Sequence, residues 1–458
     1  MYEPRTRAGQ AAWLLLAGIL AAWLGGCSTV AKSDIGHVGS TSAFAGPSCP
    51  APEKIRRVSL DHRGTFKPGK ARMISFNRSI NTAKMVTVAA VGDVLLHDRL
   101  QKNSAKHHNG FSDLWADIAD LLKAADVTYG NLEGPAARNV APGGRLTKKL
   151  PKGLYDGYVY GGYPAFNYHP DIVKALKASG FDIVSTANNH SLDRHALGVD
   201  KTIEALREAG LAYTGTRHRK LPNQTWHAVT PVSSKAGKFN IAWLSCTYGT
   251  NGIRDRHGQV LHCYKKKAEM LRMIAALRAR KDIHAVFVTP HWGLEYRGAP
   301  TTKQRKLAYD WLEAGATAVL GGHPHVMQPW ERYVTRDGRE TMIVYSLGNF
   351  VSNQLGVPRR SSVIALLGLM PNAKDRGRLS IVTAGFIPIR MRLQVTKAGV
   401  RVAAQAIDRV RGAKAKKSAA GNRKHILKFL PAGNLLPPKT PFWAGRDCTQ
   451  RARRASRK

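Results

Sequence analysis

From Met85 onward, short runs rich in Val, Ile and Ala alternate with amphipathic stretches. The short β-branched and apolar runs predict strands over Met85–Val94, Val127–Asn131, Asp182–Ala187, Phe239–Cys246, Ala285–Thr289, Ala318–Gly321 and Met342–Ser346. The amphipathic stretches predict helices over Phe111–Ala125, Pro170–Ser179, Leu197–Ala209, Lys265–Arg280 and Thr302–Ala314. Thr301 and Gln304 read as a capping box opening the last of these. Gly180, Gly210 and Gly315 each follow a helix, where a left-handed closing residue is needed. Strand alternating with helix argues for a layered α/β domain. Two later runs, Ile387–Val395 and Val400–Ile407, predict a hairpin turning around Lys397-Ala398-Gly399 and extending a second sheet.

The ends of the chain have a different texture. Arg5 and Arg7 precede an apolar run from Ala11 to Trp23, too short to span a bilayer comfortably and shaped like a secretory signal. It ends in Leu24-Gly25-Gly26-Cys27, which resembles a bacterial lipobox, so Cys27 is the expected lipidation site and mature N-terminus. Acyl chains there would anchor the protein to the membrane, on its periplasmic or cell-surface side, without a spanning helix. Ser28 follows the Cys, which by the same resemblance permits delivery to the outer membrane where a cell has two. The expected organisation is a signal peptide over 1–26, a linker and N-terminal arm over 27–84, one domain over 85–410, and a basic C-terminal extension over 411–458.

Composition narrows the class. Hydrophobic residues make up 43% of 458, enough for a buried core, which excludes a disordered basic tail protein. Lys and Arg number 71 against 30 acids, a net charge of +41. A chain starting at Cys27 would carry +40, with 69 basic and 29 acidic residues. Such a charge fits a phospholipid surface or an acidic polymer. No aromatic-rich basic motif appears, and an exported lipoprotein rarely meets nucleic acid, so no nucleic-acid partner is expected. The four later cysteines permit two disulfides in any of three pairings, or four free thiols; Cys246 with Cys263 is the local choice, which leaves Cys49 and Cys448 to join the two ends.

The chemistry is positional. Strand after strand runs into residues suited to metals: Gly92-Asp93, Gly130-Asn131-Leu132-Glu133, Asn188-Asn189-His190, Pro290-His291, Gly322-His323-Pro324-His325 and Gly348-Asn349. Ligands in α/β sheets bind beyond the carboxyl ends of the strands, so these groups would converge on one cleft. Mixed Asp, Glu, Asn and His donors suit one or two divalent ions: Zn, Mn, Fe or Mg. Two ions about 3.5–4 Å apart would clamp a phosphoryl group. There is no P-loop, no Gly-x-Ser-x-Gly and no CxxC pair.

In chain order the motifs are Val91-Gly92-Asp93, Asn131-Leu132-Glu133-Gly134-Pro135, Ala187-Asn188-Asn189-His190-Ser191-Leu192-Asp193, His291-Trp292-Gly293-Leu294-Glu295-Tyr296, Gly322-His323-Pro324-His325 and Tyr345-Ser346-Leu347-Gly348-Asn349-Phe350. Together they resemble the CapA family of poly-γ-glutamate capsule biosynthesis proteins, which is similar to the calcineurin-like metallophosphoesterases. The resemblance covers roughly residues 85–355. It implies an α/β fold, a metallophosphoesterase-like sandwich of two mixed β-sheets flanked by helices. It implies metal ligands at Asp93, Glu133, Asn189, His291, His323 and His325. His190 would be the general acid, with Asp193 in the catalytic set, and Asn188, Glu295 and Asn349 would bind substrate. Two departures stand out. Leu95 occupies the position of a metal-binding His, and Asn131 that of the bridging Asp, which leaves Glu133 to supply the carboxylate; His97 is a weaker substitute for the missing imidazole.

Two functions follow as expectations. One is a cell-envelope lipoprotein in capsule or poly-γ-glutamate biosynthesis or export, with a metal-dependent hydrolase site and capsule-synthesis partner proteins. The other is a non-catalytic accessory protein that binds an anionic polymer such as poly-γ-glutamate through an inherited cleft and a basic surface.

Overall fold

The first strand, β1 (Val86–Leu95), is apolar on both faces, and such a strand must sit inside a sheet covered on two sides. Val86, Val88 and Ala90 enter one apolar cluster, while Ala89, Val91 and Val94 enter another. The computed structural model describes residues 73–443, apart from Ser79, Arg376, Lys397 and Ala398. After β1 come α1 (Asp98–Lys106), α2 (Ala119–Lys123), β2 (Val127–Leu132), β3 (Val140–Ala141), β4 (Arg145–Leu146), α3 (Asp171–Ala178), β5 (Ile183–Ser185), α4 (His195–Glu208) and β6 (Ala212–Thr214). The second half holds β7 (His227–Ser234), β8 (Gly237–Thr247), α5 (Lys267–Ala279), β9 (Ala285–His291), α6 (Thr302–Glu313), β10 (Ala318–Leu320), β11 (Trp330–Val334), β12 (Glu340–Val344) and β13 (Asn349–Ser352). It closes with β14 (Ser361–Asn372), β15 (Arg378–Thr396), β16 (Gly399–Ala406) and α7 (Ala413–Phe429).

Two large mixed sheets result. One has the order β16-β15-β14-β1-β2-β5-β6, with β13 also pairing β1, and the other β11-β12-β10-β9-β8-β7. Their inner faces share one cluster, in which Val88, Tyr129 and Ile183 meet Trp243, Phe287 and Met342. Tyr129 stacks on Trp243 with ring centroids 5.4 Å apart. Outside the first sheet lie α1 and α3, burying Leu100, Ile172 and Leu176; outside the second lie α5 and α6, burying Ile274 and Trp311. This is the expected sandwich of two mixed sheets flanked by helices. Within the sheets, β1 runs parallel to β2, and β9 parallel to β8 and β10. That alignment gathers their carboxyl ends at one edge of the sandwich.

Several details differ from the sequence reading. The helix predicted over Phe111–Ala125 is broken into 3₁₀ turns at Gly110–Leu114 and Ala116–Ile118 before the short α2. Trp115 is fully buried, donates to Ser179 Oγ at 2.6 Å and packs on Phe181 and Phe350, so a core anchor sets the path there. β14 went unpredicted because its apolar run lacks alternation; it lies between β1 and β15, covered on both faces. The predicted hairpin exists as β15 and β16, but it extends the same sheet as β1, not a second one.

The segment expected as a basic extension also contributes to the core. Ala419, Ile426, Phe429 and Leu430 join the inter-sheet cluster, and Leu436, Phe442 and Trp443 join the outer one. Lysines on α7 masked this in a reading by composition. Cys246 and Cys263 form a disulfide tying the end of β8 to the loop before α5, whereas Cys27, Cys49, Cys448 and the segment Arg451–Lys458 lie outside the described residues. Among the described residues no helix is long and apolar enough to cross a membrane.

If α7 is part of the folded core, Ile426→Ala should cost about 2–5 kcal/mol in a denaturant melt, as removal of a fully buried aliphatic side chain does. A change within ~0.5 kcal/mol, as for an ordinary surface site, would return the segment to a tail.

Candidate metal centre

Six strand ends build the centre. β1 brings Asp93, β2 brings Asn131 and, just past its end, Glu133, and the loop after β5 brings Asn188, Asn189 and His190. β9 ends on His291, the loop after β10 carries His323 and His325, and β13 opens on Asn349. In register, Asp93 lies between Asn131 and Asn349 on the neighbouring strands. The ladder shifts on either side of Asp93, the kind of irregularity that re-aims a side chain at a site. Two glycines permit the close approach. A Cβ on Gly92 would fall on the Gly348 carbonyl, and one on Gly322 would lie 2.7 Å from Asp93 Oδ1. His323 and His325 hold positive φ angles of 95° and 56°, rare for residues with a Cβ. Non-glycine residues kept in this region cluster where function requires the geometry.

Glu133 is the centre of the set. Its carboxylate is fully buried, and neither oxygen has a hydrogen-bond partner. His291 Nε2 and His325 Nε2 approach Oε1 at 3.4 and 3.7 Å. Two ligand groups share this side chain, Asp93–Glu133–His291 and Glu133–His323–His325, each with donor atoms within 4.8 Å of one another. Asn189 Oδ1 sits 2.8 Å from His291 Nε2, and His325 Nδ1 lies 3.1 Å from Asp93 Oδ2. His323 Nδ1 is also buried without a partner. Oxygen and imidazole donors with open valences, converging from both sheets, fit a divalent metal ion.

The charges are interdependent. Burial would raise the Glu133 carboxyl, but the imidazoles of His325 and His291 outweigh it and hold the group well below the ordinary carboxylate range. Burial likewise opposes charge on His325, yet Glu133 and Asp93 push it up to about 9. His323 goes the other way, lowered well below its usual value by burial and then by the charges of His291 and His325.

His190 stands beside this cluster with its own support. Its Nδ1 lies 2.7 Å from Asp193 Oδ2, which also accepts from the Phe166 amide at 2.7 Å. Burial lowers the His190 pKa, but the hydrogen bond and charge of Asp193 more than compensate, so it is raised. Phe166 presents its ring edge-on to His190, with centroids 4.7 Å apart. Arg194, almost fully buried, donates to the carbonyls of Val140, Ala165 and Asp193 and fixes the neighbouring loop.

The structure therefore brings together Asp93, Glu133, Asn188, Asn189, His190, Asp193, His291, His323, His325 and Asn349. Asn188 and Asn349 are buried with their amides occupied: Asn188 donates to Leu132 O at 2.8 Å, and Asn349 to Arg359 O at 3.0 Å. In this arrangement they hold neighbouring groups in place. Glu295 is exposed on the rim. His97 is turned aside, with Nδ1 3.3 Å from Leu95 O and its ring edge-on to Phe166. Asn131, read only as a departure, donates to Asp93 Oδ1 at 2.8 Å and forms the floor. Sequence reasoning missed Tyr248, whose ring lies 4.4 Å from that of His323, and Asn251, which accepts from Asn189 at 3.1 Å. Both lie on an irregular turn with no motif to mark them.

The family model described as bacterial capsule synthesis protein PGA_cap matches residues 87–354. Relatives include the capsule biosynthesis protein CapA of Bacillus anthracis, 27% identical over 326 residues, covering 68% of this chain and 73% of that protein. The PGA biosynthesis protein CapA of Bacillus subtilis is 25% identical over 298 residues, covering 64% and 70%. Among solved structures, the 5′-nucleotidase of Candida albicans aligns at 10% identity over 77% of this chain and 60% of that one, with a TM-score of 0.34. With a match spanning more than half its length, this chain belongs to the PGA_cap family of bacterial capsule synthesis proteins.

Proposed function

We propose that this chain is an exported protein, lipid-anchored at Cys27, that serves capsule or poly-γ-glutamate biosynthesis or export at the cell envelope, and that its cleft is a metal-dependent hydrolase site. Family membership and the names of the relatives support the cellular role. Glu133 carries the catalytic part. The Glu133 carboxylate is buried, accepts no hydrogen bond on either oxygen and is met by the imidazoles of His291 and His325 at 3.4 and 3.7 Å, a donor set that a bound cation would complete. Asp93, Glu133, Asn189, His291, His323 and His325 would hold that cation. A divalent ion bound there supplies Lewis acidity toward a phosphoryl or carbonyl oxygen. His190, oriented by Asp193, whose hydrogen bond and charge raise its pKa, donates its proton to the leaving group. Phe166 limits the ring's movement and screens it from water.

A second reading has its own support. An amide, Asn131, stands where the phosphoesterase pattern has a bridging carboxylate, and Leu95 replaces an imidazole. A site with fewer anionic donors suits an accessory protein that holds an anionic polymer for partner proteins of capsule synthesis.

Calorimetric titration of the purified chain with Mn²⁺ or Zn²⁺ should give one tight site, and Glu133→Gln should weaken it at least ~10-fold. In the ion-free protein His325 stays protonated below pH about 9, so binding must expel that proton. Affinity should therefore rise with pH toward that value; an affinity that falls between about pH 6 and 8 would exclude this ligand set. On phosphodiester or γ-glutamyl amide substrates, His190→Ala should cut kcat by ~10²–10⁴-fold at unchanged metal content, and Asp193→Asn by less. Wild-type protein that binds metal without turnover, together with normal polymer production by a His190→Ala strain, would establish the accessory reading instead.

A further inference from the structure

One rim of the centre carries arginines that form no ion pair among the described residues. Arg99 follows the first metal-ligand strand, at the start of α1, and Arg359 and Arg360 belong to the turn Pro358–Arg360 before β14. Among the described residues none of the three is ion-paired with an acid, although ten other arginines are. Asp98 spends Oδ1 on the Gly162 amide at 2.6 Å, and the exposed Glu295 faces the Tyr296 hydroxyl that Arg359 also approaches, without an ion pair to Arg359 among the described residues. Arg360 is lowered from its usual pKa by burial and then by the charge of Arg99. Like charges held together in this way are stabilised when an anion lies between them.

This rim is wired to the metal centre. The Arg359 guanidinium lies over the Tyr296 ring, 5.0 Å from its centroid. Tyr296 holds a positive φ of 60°, uncommon for an aromatic residue, and its amide donates to Pro324 O at 2.8 Å, between His323 and His325. Its ring centroid is 6.2 Å from that of His325. Asn349 joins the two parts: its Oδ1 lies 3.0 Å from His325 Nδ1, and its Nδ2 donates to Arg359 O and Gln354 Oε1, both at 3.0 Å. Gln354 in turn donates to the Tyr296 hydroxyl and accepts from Arg360 through its carbonyl, each at 3.4 Å.

We propose that Arg99, Arg359 and Arg360, with Tyr296 as their platform, form an anion subsite that grips a carboxylate of a polycarboxylate chain beside the metal centre. Guanidinium forks match carboxylates through paired hydrogen bonds, and the Tyr296 ring beneath Arg359 restricts the position of one fork in advance. The subsite deepens the hydrolase reading by naming what the cleft holds next to the reacting group, and its binding step is measurable without turnover.

The test is fluorescence anisotropy of a labelled penta-γ-glutamate on the full chain, over a series of salt concentrations. Arg359→Gln should weaken binding about tenfold or more and flatten its salt dependence, while Arg359→Lys recovers only part of the affinity. Lys148→Gln/Lys149→Gln, on a different loop, controls for general charge. Metal stoichiometry and the melting temperature of each variant establish that the fold is kept; should Arg359→Gln misfold, Arg360→Gln and Arg99→Gln carry the same comparison. Wild-type affinity in all the arginine variants, or a loss no larger than in the lysine control, overturns the proposal. So does inorganic phosphate that displaces the probe at equal concentration, since the pocket would then be for a phosphoryl group. Arginine-dependent binding with no metal-dependent turnover keeps the subsite and removes the hydrolase reading.

Discussion

A buried carboxylate that accepts no hydrogen bond and faces two imidazoles sits where the strand ends converge, and its position depends on both sheets. Glu133 is delivered by the first sheet, while His291, His323 and His325 come from the second. Neither half could stabilise its own group. An isolated buried carboxylate would shift its pKa upward and become neutral, and an imidazole with no acid nearby would lose its proton. Held face to face they keep each other charged, as the opposite shifts of Glu133 and His325 show. The stacked Tyr129 and Trp243 between the sheets therefore do more than fill volume: they fix the separation at which these ligand groups meet. Packing in this core and geometry at the strand ends are one constraint.

The donor set also bears on how many ions the centre can hold. Asp93 and Glu133 are the only acids in the ligand groups found among the described residues, and together they balance one divalent ion. Asn131, on the strand beside Asp93, is neutral and spends its amide on Asp93 Oδ1. A second dication would therefore enter a buried site with no protein charge left to meet it. Its charge would have to come from the substrate, and an anionic chain gripped on the arginine rim is a source of that charge.

Much of this was legible in the sequence for a specific reason. The strands that matter are short and apolar and end abruptly in metal-ligand types, so periodicity and residue chemistry change at the same positions. Asp93, His190, His291, His323 and His325 were found this way. What stayed hidden has no local signature. β14 is apolar on both faces and lacks the two-residue period of a half-exposed strand. Phe111–Ala125 has helical spacing, but burial of Trp115 overrides local propensity. The hydrogen bonds of Asn188 to Leu132 and of Asn349 to Arg359 likewise join positions far apart in the chain, which no local pattern displays. Tyr296 lay in a recognised motif, yet its role depends on Arg359, which is distant in sequence.

Net charge is the feature most easily over-read here. With 71 basic and 30 acidic side chains, at least 41 cations cannot have an acid of their own, so an arginine without an ion pair is ordinary in this chain. Arg278, Arg332 and Arg409 show what the few available acids are used for: each pins a structural junction through Asp375, Glu340 or Asp120. Arg359 is distinguished from the surplus by being held in place without an ion pair among the described residues. Its backbone is bound to Asn349, its guanidinium is stacked on a strained tyrosine, and both connect to a histidine of the metal cluster. A solvated surface cation would be free to rotate away from its neighbours, as long flexible side chains do at little cost. Ordering this one without an acid partner has an entropic cost, and the fold carries that cost at the edge of the one cleft where its ligand groups converge.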